Sequence, residues 1–397
     1  MRQESPFVAV PDGRRRPSFV KFKSHWYGRM ENFFPVGNNF GGEQFHDPVE
    51  LPPDRLSFPY RLDLVPYGIN VVITPQMTTD ELDLLLTIDN VRGARKNTDA
   101  SFIINDTKYT IERFEGSGTY GEVYSCRTPS IPSALVCKII NVTSVRRLLR
   151  EVIIQIILMK YTEKIETGSF VPILYAVGFD RTTNKGYIIS EKMDKTLEKL
   201  IKGNTKAQNE EDIPIVLNEI AVRLHYTNPL KFNHRDLKID NVMFNYTADG
   251  YKNYKLIDFG DSCLTFGNLY ISATKRYSEE VCYKEGRDLG QLIFDIYISS
   301  LSSSNKESEH DVITKKMQHW LENLLEINGK YIFRNKPLTY NWSTLAYKLL
   351  EEGNVNPRYT TPAALVNKTH RYVNGKPFEG GGRRRTKRSK ARAHNHQ

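Results

Sequence analysis

The sequence predicts an α+β fold in two lobes, a small β-rich lobe followed by a larger α-helical one. Three observations predict it. From about residue 102, the runs "SFIIN", "KYTIERF", "EVYSCRT" and "ALVCKIINV" are rich in β-branched and aromatic residues and are separated by turn residues. Over 144–162, Leu148, Leu149, Val152, Ile153, Ile156 and Ile157 recur at the 3–4 spacing of one buried helical face. Beyond residue 195 the longer segments read mainly as helix, as in "RDLGQLIFDIYISSL" (287–301) and "ITKKMQHWLENLLEI" (313–327).

Ahead of the strands, residues 1–75 hold ten of the nineteen prolines and little periodicity, so they read as extended, irregular chain. Twelve aromatics in the same stretch are unusual for a free linker. Such an arm docks on a folded surface, its own or a partner's, or else stays disordered. A short helix is expected near 79–88, because Thr78 and Glu81 have capping-box spacing and leucines follow at 82, 84, 85 and 86. The organisation expected is an extension over 1–100, a catalytic domain over 101–372 and a disordered tail over 373–397.

Of the 397 residues, 39% are apolar and 26% charged, ordinary for a soluble globular protein with polar extensions. The run "VIIQIILM" (152–159) is far too short to span a bilayer, and "MRQESPFVAV" lacks the apolar core of a signal peptide. A soluble intracellular protein of cytoplasm or nucleus, without a membrane partner, is expected. The four cysteines are scattered with no Cys-x-x-Cys pair, which suggests neither a zinc site nor a disulfide framework. Reduced thiols are the default, with Cys263 read as a small, partly buried residue. The tail "GGGRRRTKRSKARAHNHQ" carries seven of the Lys and Arg and no acid, leaving +3 of the net +10 for the rest. The basic character therefore belongs to an appendage. Its segment "RRRTKRSKAR" (383–392) could neutralise phosphates of a nucleic acid or act as an import signal, and without interleaved aromatics it is not a base-stacking surface.

The chemistry centres on "NHRDLKIDNVMF" (233–244), where Asp236, Lys238 and Asn241 can accept a proton, neutralise an anion and ligate a metal. Upstream, Gly116, Gly118 and Gly121, followed by Val123, let a backbone bring N–H groups against phosphate oxygens. A dinucleotide site uses the same spacing but opens a helix, whereas "EVYSC" continues as strand, which favours a hairpin flap over a nucleotide. Lys138 lies among strand-forming apolar residues, where an ammonium is costly unless it meets an anion. Glu151, the one acid on the following helix, could hold it; a snorkelling lysine and a surface glutamate are the plainer alternative. Asp258, at the end of an apolar strand in "YKLIDFGDS", and the Asn241 amide are hard oxygen donors suited to magnesium shared with a triphosphate.

In order and spacing these motifs resemble the eukaryotic-type protein kinase domain: glycine loop, strand lysine, helix glutamate, His-Arg-Asp-Leu-Lys-x-x-Asn and Asp-Phe-Gly. "ATKRYSEE" (273–280) resembles the end of an activation segment, Asp288 fits the family's large-lobe helix, and "NPRYTTPAALV" (356–366) resembles its closing motif. The likeness runs over roughly residues 105–370 and implies the two-lobed kinase fold, with ATP and Mg2+ as cofactors. It implies catalytic roles for Asp236, Lys238, Lys138 and Glu151, and metal ligation by Asn241 and Asp258. It also implies a nucleotide pocket formed by Gly116, Gly118, Gly121, Val123, Val136, Lys138, Glu191, Met193 and Met243, with backbone at 190–193 meeting adenine and Ser190 as the gatekeeper. His234 is implied to be internal and structural, and Arg235 to be able to bind an activation-segment phosphate. Ser262, Thr265, Tyr270 and Ser272 are phosphosite candidates.

Three departures stand out. Val136 replaces the family's usual alanine over adenine, Gln155 stands at an apolar spine position, and the Ala-Pro-Glu end of the activation segment is reduced to "SEE", with Glu280, or else Glu279, the expected partner of Arg358. The function implied is ATP-dependent phosphorylation of Ser and Thr in protein substrates; Lys238 and Thr274 resemble Ser/Thr rather than Tyr kinases. The alternative is a kinase-shaped scaffold joining a protein partner to nucleic acid with little catalysis. A small-molecule phosphotransferase is disfavoured by Lys238 and the docking-like segment. The glycine-hinged basic tail resembles those of proteins from large DNA viruses, which would allow a place in a virion.

Overall fold

The computed structural model describes residues 61–98, 100–118, 121–163, 169–247, 250, 252–274, 278–300 and 312–325. The proline- and aromatic-rich arm up to residue 60, the closing motif with Arg358, and the basic tail lie outside them.

The described chain opens with a small ladder, β1 (Leu62–Asp63) paired with β2 (Val72–Ile73), then α1 (Thr79–Leu85). The expected capping box forms: the Thr78 hydroxyl accepts from the Glu81 amide and the Glu81 carboxylate accepts from the Thr78 amide. Next come β3 (Ala94–Thr98), β4 (Ser101–Ile104), β5 (Thr107–Gly118), β6 (Gly121–Thr128) and β7 (Ile131–Asn141), then α2 (Val145–Thr162), β8 (Leu174–Asp180) and β9 (Lys185–Glu191). The seven strands β3 to β9 form one antiparallel sheet in the order β3-β4-β5-β6-β7-β9-β8. The boundary expected at residue 100 thus falls between two paired strands of this sheet.

Alternation across the strands divides the sheet into two faces. Leu135, Cys137 and Ile189 join Phe102, Tyr109 and Tyr187 in a core on one side. Val136 and Lys138 therefore point to the other side, and Val123 and Ser190 pair directly with them. α2 matches the helix read from the sequence, starting at the Ser144 cap and burying all six apolar residues singled out there.

The remainder is mainly helical. A three-stranded sheet of β10 (Lys195–Thr196), β11 (Val242–Tyr246) and β12 (Lys252–Leu256) brackets α3 (Leu197–Gly203) and α4 (Lys206–Tyr226). Pro214 sits inside α4, where its missing N–H would normally end a helix; the helix continues and keeps Ile213, Leu217 and Ile220 buried. A hairpin of β13 (Cys263–Phe266) and β14 (Leu269–Ser272) leads to α5 (Glu279–Cys282), α6 (Arg287–Ser300) and α7 (Lys315–Leu325). No helix of the described residues is long and apolar enough to cross a membrane.

Candidate active site

Lys138 is the meeting point of three elements. Its Nζ donates to Glu151 Oε1 on α2 at 2.8 Å and to Asp258 Oδ1, past the end of β12, at 3.2 Å. Burial opposes the ammonium charge, yet the two carboxylates outweigh it and hold the lysine pKa above its ordinary value. Burial likewise pushes the Asp258 carboxyl up, and Lys138 more than reverses this, so its pKa lies below the usual range. The plainer reading, a snorkelling lysine and a surface glutamate, is excluded. Asp258 adopts φ +64°, and Arg235 φ +66°, left-handed conformations that non-glycine residues keep only where their surroundings impose them.

The loop carrying Asp236 is fastened from behind. Asp288, at the start of α6, accepts from the amides of His234 (2.6 Å) and Arg235 (2.9 Å) and from the Asn233 side chain. Asp295, about two turns further along α6, accepts from the Ile239 amide at 2.8 Å. His234 is fully buried, its Nε2 on the Ile257 carbonyl and its ring beside Phe259, which fits an internal structural role. On the open side, Asp236 Oδ2 accepts from Lys238 Nζ (2.8 Å) and Asn241 Nδ2 (3.0 Å), and Asn241 Nδ2 also donates to the Asp236 carbonyl. The Asn241 amide oxygen is thereby left as the end available to a cation. Desolvation lowers the Lys238 pKa, but its bond to Asp236 prevails and the net shift is upward.

The glycine segment forms a hairpin, with Gly116 opposite Val123 and Gly118 opposite Gly121. Gly116 and Gly121 do different work. A Cβ on Gly121 would stand 2.2 Å from the Ile139 carbonyl oxygen, whereas one on Gly116 would meet nothing within 4 Å. Gly121 is thus required by strand packing, while the space beside Gly116 is open. Val123, Val136 and Met243 are each half-buried. The Glu191 carboxylate accepts from Lys255 Nζ (2.6 Å) and from the Asn245 side chain, and Met193 is buried. Two hard oxygens, on Asn241 and Asp258, are too few to enclose magnesium alone but fit an ion that keeps waters and phosphate oxygens.

Sequence reasoning missed several features. Cys263 and Cys282 are joined as a disulfide across 19 residues of chain, with Cα atoms 6.4 Å apart, correcting the expectation of reduced thiols for this pair. The hairpin and α5 bring them together, which spacing does not reveal; Cys126 and Cys137 are free and buried. Gln155 donates to the Pro172 carbonyl at 3.0 Å, so the polar residue at the spine position is satisfied. Arg235 is buried, and its Nη1 donates to the Cys282 carbonyl at 2.9 Å. Ser262 and Ser272 are buried and bonded to the His234 and Thr274 carbonyls, so neither can take a phosphate in this arrangement. Thr265 is bonded to Glu279. The expected Glu280–Arg358 pair lies outside the described residues.

Residues 109–281, less than half of the chain, match the protein kinase domain family, stopping short of the residue 370 to which the motifs extend. The chain is 31% identical over 159 residues to a probable serine/threonine-protein kinase of Dictyostelium discoideum, covering 39% of this chain and 22% of that protein. It is 27% identical over 159 residues to cyclin-dependent kinase 12 of Drosophila melanogaster, covering 36% of this chain and 13% of the relative. Against a probable cell division protein kinase of Encephalitozoon cuniculi it is 26% identical over 154 residues, covering 39% of this chain and 53% of the other. The matched stretch thus spans between about an eighth and about half the length of these curated relatives.

Proposed function

Starting from a chain that carries a eukaryotic-type protein kinase domain, we propose that it transfers the γ-phosphate of ATP to serine or threonine hydroxyls of protein substrates. One observation carries the reading: Lys138 is bound at once to Glu151 and to Asp258. A lysine so held is a fixed cation facing the hairpin of Gly116 and Gly121. It would meet the α- and β-phosphates without reorganising at the moment of reaction.

Asp236 would act on the acceptor. Its Oδ2 is occupied by Lys238 and Asn241, which leaves Oδ1 to orient a substrate hydroxyl and receive its proton. Lys238, within 2.8 Å of that carboxylate, would neutralise the phosphoryl group in transfer. Asn241 and Asp258 would hold magnesium, which when bound supplies neutralisation of the phosphate charge. Val123, Val136, Met193 and Met243 would pack on the adenine, and Glu191 would contribute its backbone. Lys238 two residues after Asp236, and the probable serine/threonine-protein kinase among the similar proteins, support a hydroxyl of serine or threonine over tyrosine.

The experiment is transfer of labelled phosphate from magnesium-ATP to a generic basic protein, by the parent and by Asp236→Ala. We expect the variant to lose about 10²- to 10⁴-fold in rate, the range for removing a positioned acid–base group. Equal transfer by both would overturn the assignment of Asp236. Nucleotide binding without transfer to any substrate would favour the scaffold.

A further inference from the structure

Residues 75–86, between β2 and β3, contact the neighbours in the chain of both partners of Lys138: the hairpin that follows Asp258, and Arg150 beside Glu151. At one end they support the hairpin that follows Asp258. The Asn268 amide donates to the Pro75 carbonyl at 2.6 Å, and the Thr79 hydroxyl donates to the Tyr270 carbonyl at 2.7 Å. The hairpin turn is shaped for this contact: Gly267 has φ +63°, and a Cβ there would stand 2.4 Å from the Pro75 oxygen. At the other end, Asp83 accepts from both Nε and Nη2 of Arg150, a buried arginine next in the chain to Glu151. Leu82 and Leu86 are buried beneath the segment, so it is packed as well as hydrogen-bonded. A third contact links the two ends, since Arg147, one turn earlier on α2, donates to the Gly260 carbonyl at 3.5 Å.

Successive residues on an α-helix lie about 100° apart around its axis. A two-pronged bond at Arg150 therefore fixes the rotation of α2, and with it the aim of the Glu151 carboxylate. Arg235, which the kinase resemblance implies can bind a regulatory phosphate, here donates to the Cys282 carbonyl. We propose that Asp83 is a positioning residue for phosphoryl transfer: through Arg150, and with Thr79 and Pro75 on the hairpin, residues 75–86 hold Glu151 and Asp258 on Lys138. This rests on the kinase reading of the site. The segment would do from within the chain what an activating phosphate or partner does from outside.

The test uses the full chain and compares the parent, Asp83→Ala, Arg150→Ala and the reversed pair Asp83→Arg/Arg150→Asp. Two readouts are taken: kcat against KM for ATP, and amide hydrogen exchange over Val145–Thr162. We expect Asp83→Ala to lower kcat by about 10- to 100-fold, the scale of a misplacement of about 1 Å. KM should move much less, exchange in α2 should rise while the β4–β7 core stays protected, and the reversed pair should recover most of kcat. Unchanged kcat and unchanged α2 exchange would overturn the proposal. So would a loss matched by faster exchange throughout the fold, because that is only destabilisation. Should Asp83→Ala not fold, Thr79→Val, which removes only the bond to Tyr270, is read in the same two ways. If the parent transfers no phosphate at all, the kinase reading fails by itself, and the exchange comparison still decides whether Asp83 holds α2.

Discussion

Two buried charge clusters in this molecule have opposite designs. At Lys138, one cation meets carboxylates from 13 and 120 residues away, across a sheet, a helix and a loop. At Arg223 on α4, the cluster closes locally: Glu219 lies one turn earlier at 3.7 Å, and the guanidinium donates to the Tyr254 carbonyl and to Asn253 on β12. The first faces a hairpin with room left beside Gly116; the second is sealed, with both side chains under a tenth exposed. A buried charge is costly in either place. What separates them is whether the arrangement leaves a place for a further charged group, and only the first does. Burial of an ion pair is thus poor evidence of function, whereas convergence of distant elements on an open space is good evidence.

Truncating the cation in each cluster should break different properties. Lys138→Ala should cost the active site about 10²- to 10³-fold in kcat, the scale for one electrostatic group. Arg223→Ala should instead cost about 3–5 kcal/mol of stability, because Glu219 and the Tyr254 carbonyl would be left buried without it. The kcat of its folded fraction should match the parent. Urea unfolding together with active-site-normalised rates checks both. A stability loss at Lys138 larger than that at Arg223 would collapse the distinction.

The sealed cluster also carries a pH signature that sharpens the contrast. Burial pushes the Glu219 carboxyl up to about 7, against the pull of Arg223. Its folded pKa therefore exceeds the unfolded value. The folded state binds the extra proton between the two, so the stability it lends is fully present below about pH 4.5 and is lost as pH rises through about 7. Glu219→Gln cannot lose it. The stability of Glu219→Gln relative to the parent should rise between pH 5 and pH 8 by about 2–3 kcal/mol, the free energy of a shift of this order. A difference that stays flat with pH would show that Glu219 is charged in the fold throughout.

What the sequence made legible follows the same division between local and distant. The α1 capping box and the apolar face of α2 are short-range patterns, and both form as read. The stretch 233–244 and the Asp258 motif stand out because their order is specific, although distance along the chain hides that Asp258 meets Lys138. Asp83 and Arg150 are 67 residues apart, and nothing in the spacing of the three acids on this short helix singles out Asp83. Cys263 and Cys282 have no motif either, and only the hairpin and α5 bring them together. Glu219 and Arg223, at i and i+4, have the spacing of an ordinary surface pair, yet tertiary packing buries them. The extension drawn over 1–100 contributes β3 to the main sheet, which the polar sequence "ARKNT", exposed over four of five residues, does not announce; within the stretch 1–75 read as irregular chain, β1 and β2 pair.

The smallest expected effect bears most directly on which open space is the site. Gly121→Ala should destabilise the sheet, since its new methyl would collide with the Ile139 backbone. Gly116→Ala should change stability by no more than about 0.5 kcal/mol, because its methyl meets nothing. If that space belongs to the phosphates of ATP, the same silent methyl should weaken nucleotide binding by about 1 kcal/mol or more, since a backbone N–H can no longer approach an oxygen as closely. Titration of the folded variant with magnesium-ATP measures it. A variant that binds like the parent would mean that the hairpin does not cover the triphosphate, and that the contrast between the two clusters rests on Lys138 alone. Weakened binding in an otherwise unperturbed fold would tie the open space, the glycine and the lysine into one site.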